Sequence, residues 1–234
     1  MKAVRPPRPE RVKHVDYDFN VFINCPFDAT FQPLLHAAIF TIHTCGLIAR
    51  CALEDSDQNL RFSRILDIIG ECRYGIHDLS RIEPGKMPRN NMPLELGVFI
   101  GCRHFGTEYD YEKDYLVLDS KPHRYKKHIT DLGGEDPSIH GNTEKGMIKA
   151  VRDWLRSRLY GRMTPLPSAG VFYEHYRHFL TKAPDLCARR TWVLEELDFE
   201  EYVVVVTDYL EEAHQYRSEL EAIYEQAVAK GLLK

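Results

Sequence analysis

The sequence has no run of 18 or more apolar residues, so no segment is long enough to cross a bilayer as a helix. Its six cysteines contain no C-x-x-C pair, which removes the common zinc and thiol-redox spacings. It also lacks a G-x-x-x-x-G-K-[ST] phosphate loop, a G-x-G-x-x-G after the first strand, and a G-x-S-x-G elbow. An ordinary NTPase, a Rossmann dehydrogenase and an α/β-hydrolase are thereby excluded. The eleven histidines form no H-E-x-x-H and no Cys/His cluster, so no metal and no cofactor is expected. Net positive charge is missing as well. A formal charge of −4 and a pI of about 6.3 argue against a general nucleic-acid binder. The first thirteen residues are basic, but no apolar stretch follows them, and a signal peptide is not expected. The expectation is a cytoplasmic protein whose thiols are reduced and mostly buried.

What is present is an alternation of strand and helix patterns. The chain's 234 residues suffice for one full core, or for one domain and a small helical appendage. Residues 1–15, rich in Pro and Arg, read as a flexible arm. Phe19, Val21, Phe22 and Ile23 form a short apolar run, as expected of a strand covered on both faces, and Pro26 stops it. Leu34, Leu35, Ala38, Ile39 and Ile42 recur at helical spacing up to Gly46. L-I-A-R-C-A-L reads as a second strand, and Leu60, Ile65, Ile68 and Ile69 as a second helix. Y-G-I-H-D-L-S is a third strand, N-M-P-L-E-L-G-V-F-I-G a third helix, and D-Y-L-V-L-D a fourth strand. A fifth short strand is expected near residues 138–140, and a helix over residues 143–159. The fold class that follows is α/β, a flavodoxin-like parallel sheet with helices on both faces, over residues 16–160.

Residues 161–234 read as a helical extension. G-R-M-T-P-L-P-S-A-G is a linker by composition, and helices are expected over residues 171–181 and 197–230. In the second of these, Phe199, Val203, Val206, Leu210, Ala213, Leu220, Tyr224 and Ala227 follow a heptad-type seam broken by Arg217. The seam suits either packing on the chain's own domain or self-association into a homo-oligomer.

In an open parallel sheet, ligands lie beyond the carboxyl ends of the strands. That rule selects polar loops holding Asn24, Pro26, Phe27, Asp28, Glu54, Asp55, Asp57, Asp78, Asn91 and Glu95. Glu95 is the foremost candidate. Pro93 places it in the first turn of its helix, where exposed backbone N–H groups favour an anion. A solvated capping glutamate is the plain alternative, but the apolar flanks L-E-L-G-V-F-I-G suggest a helix buried all round. Gly97 and Gly101, four apart, suggest close approach of a backbone or a ligand on one face. Asp78 ends a buried strand, and either binds its own loop or pairs with Glu95 in glycosidic chemistry.

The motifs V-F-I-N-C-P-F-D, R-F-S-R-I-L-D-I-I-G-E-C-R-Y-G-I-H-D-L-S and N-M-P-L-E-L-G-V-F-I-G resemble the core of the TIR and nucleoside 2-deoxyribosyltransferase-like group. Glu95-Leu96 matches the catalytic "E-L" of the TIR branch. Asp78, Asn91, Glu95, Gly97 and Gly101 match the "D…N…E-x-G-x-A-x-[AG]" pattern of the transferases, with Phe99 in place of Ala. The chain departs from the TIR pattern with Met92-Pro93-Leu94 before Glu95-Leu96, and from the transferases with Cys25-Pro26 in the first loop.

The resemblance implies cleavage of an N-glycosidic bond. Glu95 and Asp78 would be catalytic, with Asn24, Pro26, Phe27, Asp28, Glu54, Asp55 and Asn91 binding substrate. The implied activity is NAD glycohydrolase or ADP-ribose cyclase, with NAD as substrate rather than cofactor, in bacterial antiviral defence with a possible protein partner. A deoxyribosyltransferase or nucleoside hydrolase is the second expectation, and a non-catalytic nucleotide-sensing or protein-interaction module the third.

Overall fold

The computed structural model describes residues 11–54, 61–81, 91–122, 136–159 and 166–229, the side chains of Arg61 and of residues 215–229 excepted. Five parallel strands form one sheet in the order β2-β1-β3-β4-β5. They are β1 (Asn20–Asn24), β2 (Ile48–Cys51), β3 (Tyr74–Asp78), β4 (Asp114–Asp119) and β5 (Ser138–Ile139). β1 and β3 are buried at every position, as central strands covered on both faces must be. β2, at the sheet's edge, alternates between buried and half-buried residues. The flavodoxin-like reading of the fold holds, including the short β5. Phe19 falls outside it, 52% exposed and one residue before β1 begins.

The helices are α1 (Gln32–Thr44), α2 (Arg61–Glu71), α3 (Asn91–Phe105), α4 (Glu144–Arg158), α5 (Ala169–Arg189) and α6 (Phe199–Ala229). α1 and α4 cover one face, packing on Val21, Ile23, Tyr74, Ile76, Leu116 and Leu118. α2 and α3 cover the other, where Ile65, Ile68, Ile69 and Phe99 meet Phe22. α1 ends where Gly46 takes a φ of 71°, a left-handed conformation that glycine adopts without strain. There the Leu47 N–H donates to the Ile42 carbonyl and the Gly46 N–H to the His43 carbonyl, closing the helix as a Schellman motif.

The helix enclosed on all sides is α1, not α3. Residues 37–42 of α1 are buried without a break. Its outer side is covered by α5 and α6, whose Tyr176, Phe179 and Tyr209 rings surround Phe40 at 5.2, 5.2 and 6.2 Å. α3 leaves Leu94 53% exposed, and a Cβ added at Gly97 or Gly101 would meet nothing within 4 Å. Among the described residues no backbone closes on these glycines, and the face they share is open. α5 runs further than its apolar spacing indicated and carries Pro184 inside it, held to the core by Ala183, Leu186 and Cys187. On α6 the buried stripe is Phe199, Tyr202, Val205, Val206 and Tyr209, while Val203 and Leu210 of the expected seam are half-buried. No helix among the described residues is long and apolar enough to cross a membrane.

The amino edge of the sheet is closed by a buried charge network. The Lys113 ammonium, wholly enclosed, donates to the carbonyls of Ile69 (2.8 Å) and Cys72, at the carboxyl end of α2. It sits 3.5 Å from the Asp110 carboxylate and 4.9 Å from the ring centroids of Tyr17 and Phe99. Arg11 donates to both Asp110 oxygens at 2.7 Å. Burial lowers the Lys113 pKa, and the negative groups nearby, Asp110 among them, oppose that shift. Breaking such a network strands its remaining polar groups. Lys113→Met is therefore expected to cost about 3–5 kcal/mol of stability, read from urea unfolding. An unchanged midpoint and slope would contradict this account.

Candidate functional site at the carboxyl edge

β1 leads into α1 on one face of the sheet and β3 into α3 on the other. The two strands are neighbours, so a crevice opens between their carboxyl ends, as at the switch point of any doubly wound sheet. Asn24, the last residue of β1, is 2% exposed. Its amide nitrogen lies 2.8 Å from the Met92 carbonyl in the first turn of α3 and 3.1 Å from His77 Nδ1. Both amide hydrogens are thus used to bind α3 and β3 to β1. Asn24 is a fixing point of the crevice, and its amide nitrogen has no hydrogen left for a ligand.

His77 is fully buried, edge-on to the rings of Phe22, Phe99 and Tyr115 at 6.0, 5.2 and 6.4 Å. Burial lowers its pKa to about 3, so the imidazole is neutral. Nδ1 accepts from Asn24, which leaves the hydrogen on Nε2 among the rings.

Asp78 is 1% exposed. Its Oδ1 accepts from the Ser80 N–H at 2.9 Å and the Ser80 hydroxyl at 2.5 Å. Its Oδ2 lies 3.0 Å from His140 Nε2, out of line for a well-formed hydrogen bond. His140 Nδ1 accepts from the Asn142 N–H at 3.0 Å, so Nε2 carries the ring hydrogen, close to Asp78 but not aimed along the line to Oδ2. His140 follows β5 and is 1% exposed. Asp119 ends β4, is fully buried, and accepts from the Ser120 N–H at 2.6 Å. Neither residue belongs to a motif of the sequence. The cue available for them was position, since each is a polar residue closing an apolar strand.

Glu95 is 8% exposed, on the buried side of α3 with Met92, Leu96 and Phe99. α3 begins at Asn91, so Glu95 opens the second turn rather than lying in the first. It belongs with Asp78 and Asp28 around Cys25. Burial raises the Cys25 thiol well above its usual range, and the negative charges of Asp78, Glu95 and Asp28 raise it further. Cys25 is therefore a protonated, unreactive thiol amid carboxylates.

The other expected contacts divide. Pro26, Phe27 and Asp28 line a pocket of about 360 Å³ between the β1–α1 loop and the start of α6. Phe27 packs against the core on both faces of the sheet. Asp28 accepts from the Thr30 N–H and hydroxyl and the Phe31 N–H, which shapes the turn into α1. Arg81 reaches across from the β3 side to Asp28 at 3.5 Å and to the Thr30 hydroxyl at 2.5 Å. Glu54 accepts from Arg50 Nε at 2.8 and 2.9 Å and from the Cys51 N–H at 2.9 Å, bracing the edge strand. Asn91 is exposed at the first position of α3. Asp55 and Asp57 lie outside the described residues.

Compared with models of protein families, with curated proteins and with solved structures, the chain matches none. The class that the fold defines is an open α/β protein of five parallel strands, with buried acidic residues gathered at the carboxyl edge.

The neutral state of His77 has a pH consequence. The unfolded chain titrates this imidazole near its usual value of about 6.5. The folded chain does so only near 3. Below pH 6.5 the unfolded state binds the additional proton, so the stability this group contributes is complete above 6.5 and is lost as pH falls. For His77 alone the loss between pH 7 and pH 5 is about 2 kcal/mol. Urea unfolding of His77→Gln is expected to show a pH dependence weaker by that amount, and equal slopes in both proteins would show that His77 is not the titrating group.

Proposed function

We propose that the chain cleaves the N-glycosidic bond of a nucleotide, with NAD as the substrate and Glu95 as the group acting at ribose C1. The observation that carries this reading is a nearly buried carboxylate, Glu95, on the helix that Asn24 fixes at the switch point. The resemblance of the residues around Asn24, Asp78 and Glu95 to the TIR and deoxyribosyltransferase-like group supports the same chemistry.

As a glycosidic bond breaks, positive charge develops on C1 and the ring oxygen. A carboxylate already desolvated and fixed in place stabilises that charge, or forms an ester with C1, without reorganising. In NAD the nicotinamide nitrogen carries a positive charge, takes the bonding pair, and leaves as a neutral ring. Water then adds at C1 and releases a proton, giving ADP-ribose. If an adenine nitrogen reaches C1 first, the product is cyclic ADP-ribose.

Asp78 favours NAD over a deoxynucleoside as the substrate. A nucleobase leaves as an anion unless a group protonates it. Asp78 accepts two hydrogen bonds on Oδ1, and its Oδ2 lies 3.0 Å from His140 Nε2 without a hydrogen bond in line. It is placed to accept hydrogens and orient its loop, whereas a departing base needs a donor. Self-association through α6, in a defence system that consumes NAD, is part of the same proposal.

Glu95→Gln keeps the side chain's size and removes its charge. The expected result is a loss of about 10²–10³-fold in NAD turnover, the scale of removing one electrostatic stabiliser from a preorganised site. NAD consumption at wild-type rate by Glu95→Gln would falsify the assignment. Measured over rising protein concentration, specific activity that increases supports self-association. Base exchange on deoxynucleosides with NAD left intact would favour the transferase reading.

A further inference from the structure

The pocket beside the β1–α1 loop is walled by Leu35 and Ile39 of α1, Leu53 after β2, and Phe199 and Tyr202 of α6. We infer that it seats the adenine ring of the dinucleotide, an assignment that rests on the reading of the crevice as a site of NAD cleavage. Its volume of about 360 Å³ lies within the roughly 300–1,000 Å³ typical of small-molecule sites. Its walls are mainly apolar, as a heterocycle requires, and they include a stacked pair of rings. The His36 imidazole lies on the Tyr202 ring at 3.7 Å between centroids, with the planes 11° apart. Tyr202 is buried beneath the pair, so the half-buried His36 ring is the aromatic face offered to the pocket, and burial holds its pKa down to about 4, leaving it neutral at pH 7.

The polar groups of the pocket distinguish a base from a phosphate. Asp28 and Asp198 both line it. Asp198 accepts from the Glu201 N–H at 2.8 Å and donates its own N–H to the Glu201 carboxylate at 3.0 Å, which fixes it at the start of α6. Two carboxylates repel a phosphate and accept from an exocyclic amine, which adenine carries. The phosphates therefore lie outside the pocket. Arg81 brings a guanidinium to the loop that borders it, 3.5 Å from Asp28. That loop continues directly from Asn24 and Cys25, so one segment lines both the adenine pocket and the crevice that holds Glu95. A dinucleotide lying across it would set adenine in the pocket, the diphosphate beside Arg81, and the nicotinamide ribose in the crevice.

Ala29 is exposed and lines the pocket, so Ala29→Trp fills the space without disturbing the core. The test compares cleavage of NAD with cleavage of nicotinamide mononucleotide, which has the same scissile bond and no adenosine. In Ala29→Trp, kcat/KM for NAD is expected to fall at least tenfold, with the value for the mononucleotide changed less than twofold. Loss on both substrates alike, or on neither, overturns the assignment. If the wild type cleaves neither substrate, the proposed function fails, and binding of adenosine monophosphate decides the pocket by itself. A thermal shift by this probe in the wild type that Ala29→Trp abolishes retains the adenine site, and no shift in the wild type removes it.

Discussion

The structure depends on how Asn24 uses its two amide hydrogens. One goes to the Met92 carbonyl and the other to His77 Nδ1, so a single side chain joins the end of β1, the start of α3 and the end of β3. α3 is held again two turns on, where Phe99 packs edge-on against the same His77 ring. Glu95 lies between these two fixed points. Room for the arrangement comes from Gly75. A Cβ there would lie 2.7 Å from His77 Nε2 and 2.9 Å from the Phe99 ring, with both side chains buried and unable to yield. Positioning of the acid thus starts on a strand, passes through a neutral imidazole, and reaches the helix by packing as much as by hydrogen bonding.

The two edges of the sheet treat buried charge in opposite ways. At the amino edge, Arg11, Asp110, Lys113 and the carboxyl end of α2 set each charge against one of opposite sign. At the carboxyl edge, Asp28, Asp78 and Glu95 lie around Cys25, with Arg81 at Asp28 and His140 at Asp78. A concentration of negative groups in a low-dielectric setting is costly for folding, but it suits a reaction that develops positive charge on a sugar. Burial first, and the same negative groups second, keep Cys25 protonated, so a thiol can lie at the crevice without competing as a nucleophile.

The pattern of apolar residues made the fold class legible, because strands covered on both faces are short continuous runs and D-Y-L-V-L-D and V-F-I-N are such runs. It misidentified the enclosed helix. α3 is apolar in sequence, but Leu94 projects into solvent, whereas α1 is enclosed because a third layer lies behind it, and that layer comes from residues far along the chain. The site was legible only where a residue's partners are local. Asp78 binding its own loop through Ser80 was one of two readings open from sequence. Glu54 is occupied by Arg50, four residues away, yet no periodicity marks that pairing. The binding of Asn24 to Met92, 68 residues away, has no mark in the sequence, because it follows from the pairing of β1 with β3 and the return of α3. His140 had no motif at all. It meets Asp78 because β4 pairs with both β3 and β5.

α5 and α6 do more than extend the domain. α1 has apolar side chains in two directions, so the sheet can cover only one of its sides. The other side is covered by Phe179, Tyr202, Val206 and Tyr209, in one continuous core with the sheet. An α/β layer lacking these helices would leave Phe40 and its neighbours facing water, a patch that favours association or unfolding. The same contact makes the pocket, since α6 meets α1 at Tyr202 and His36 and leaves a gap below the β1–α1 loop. The stripe of α6 that faces inward is therefore committed to this chain.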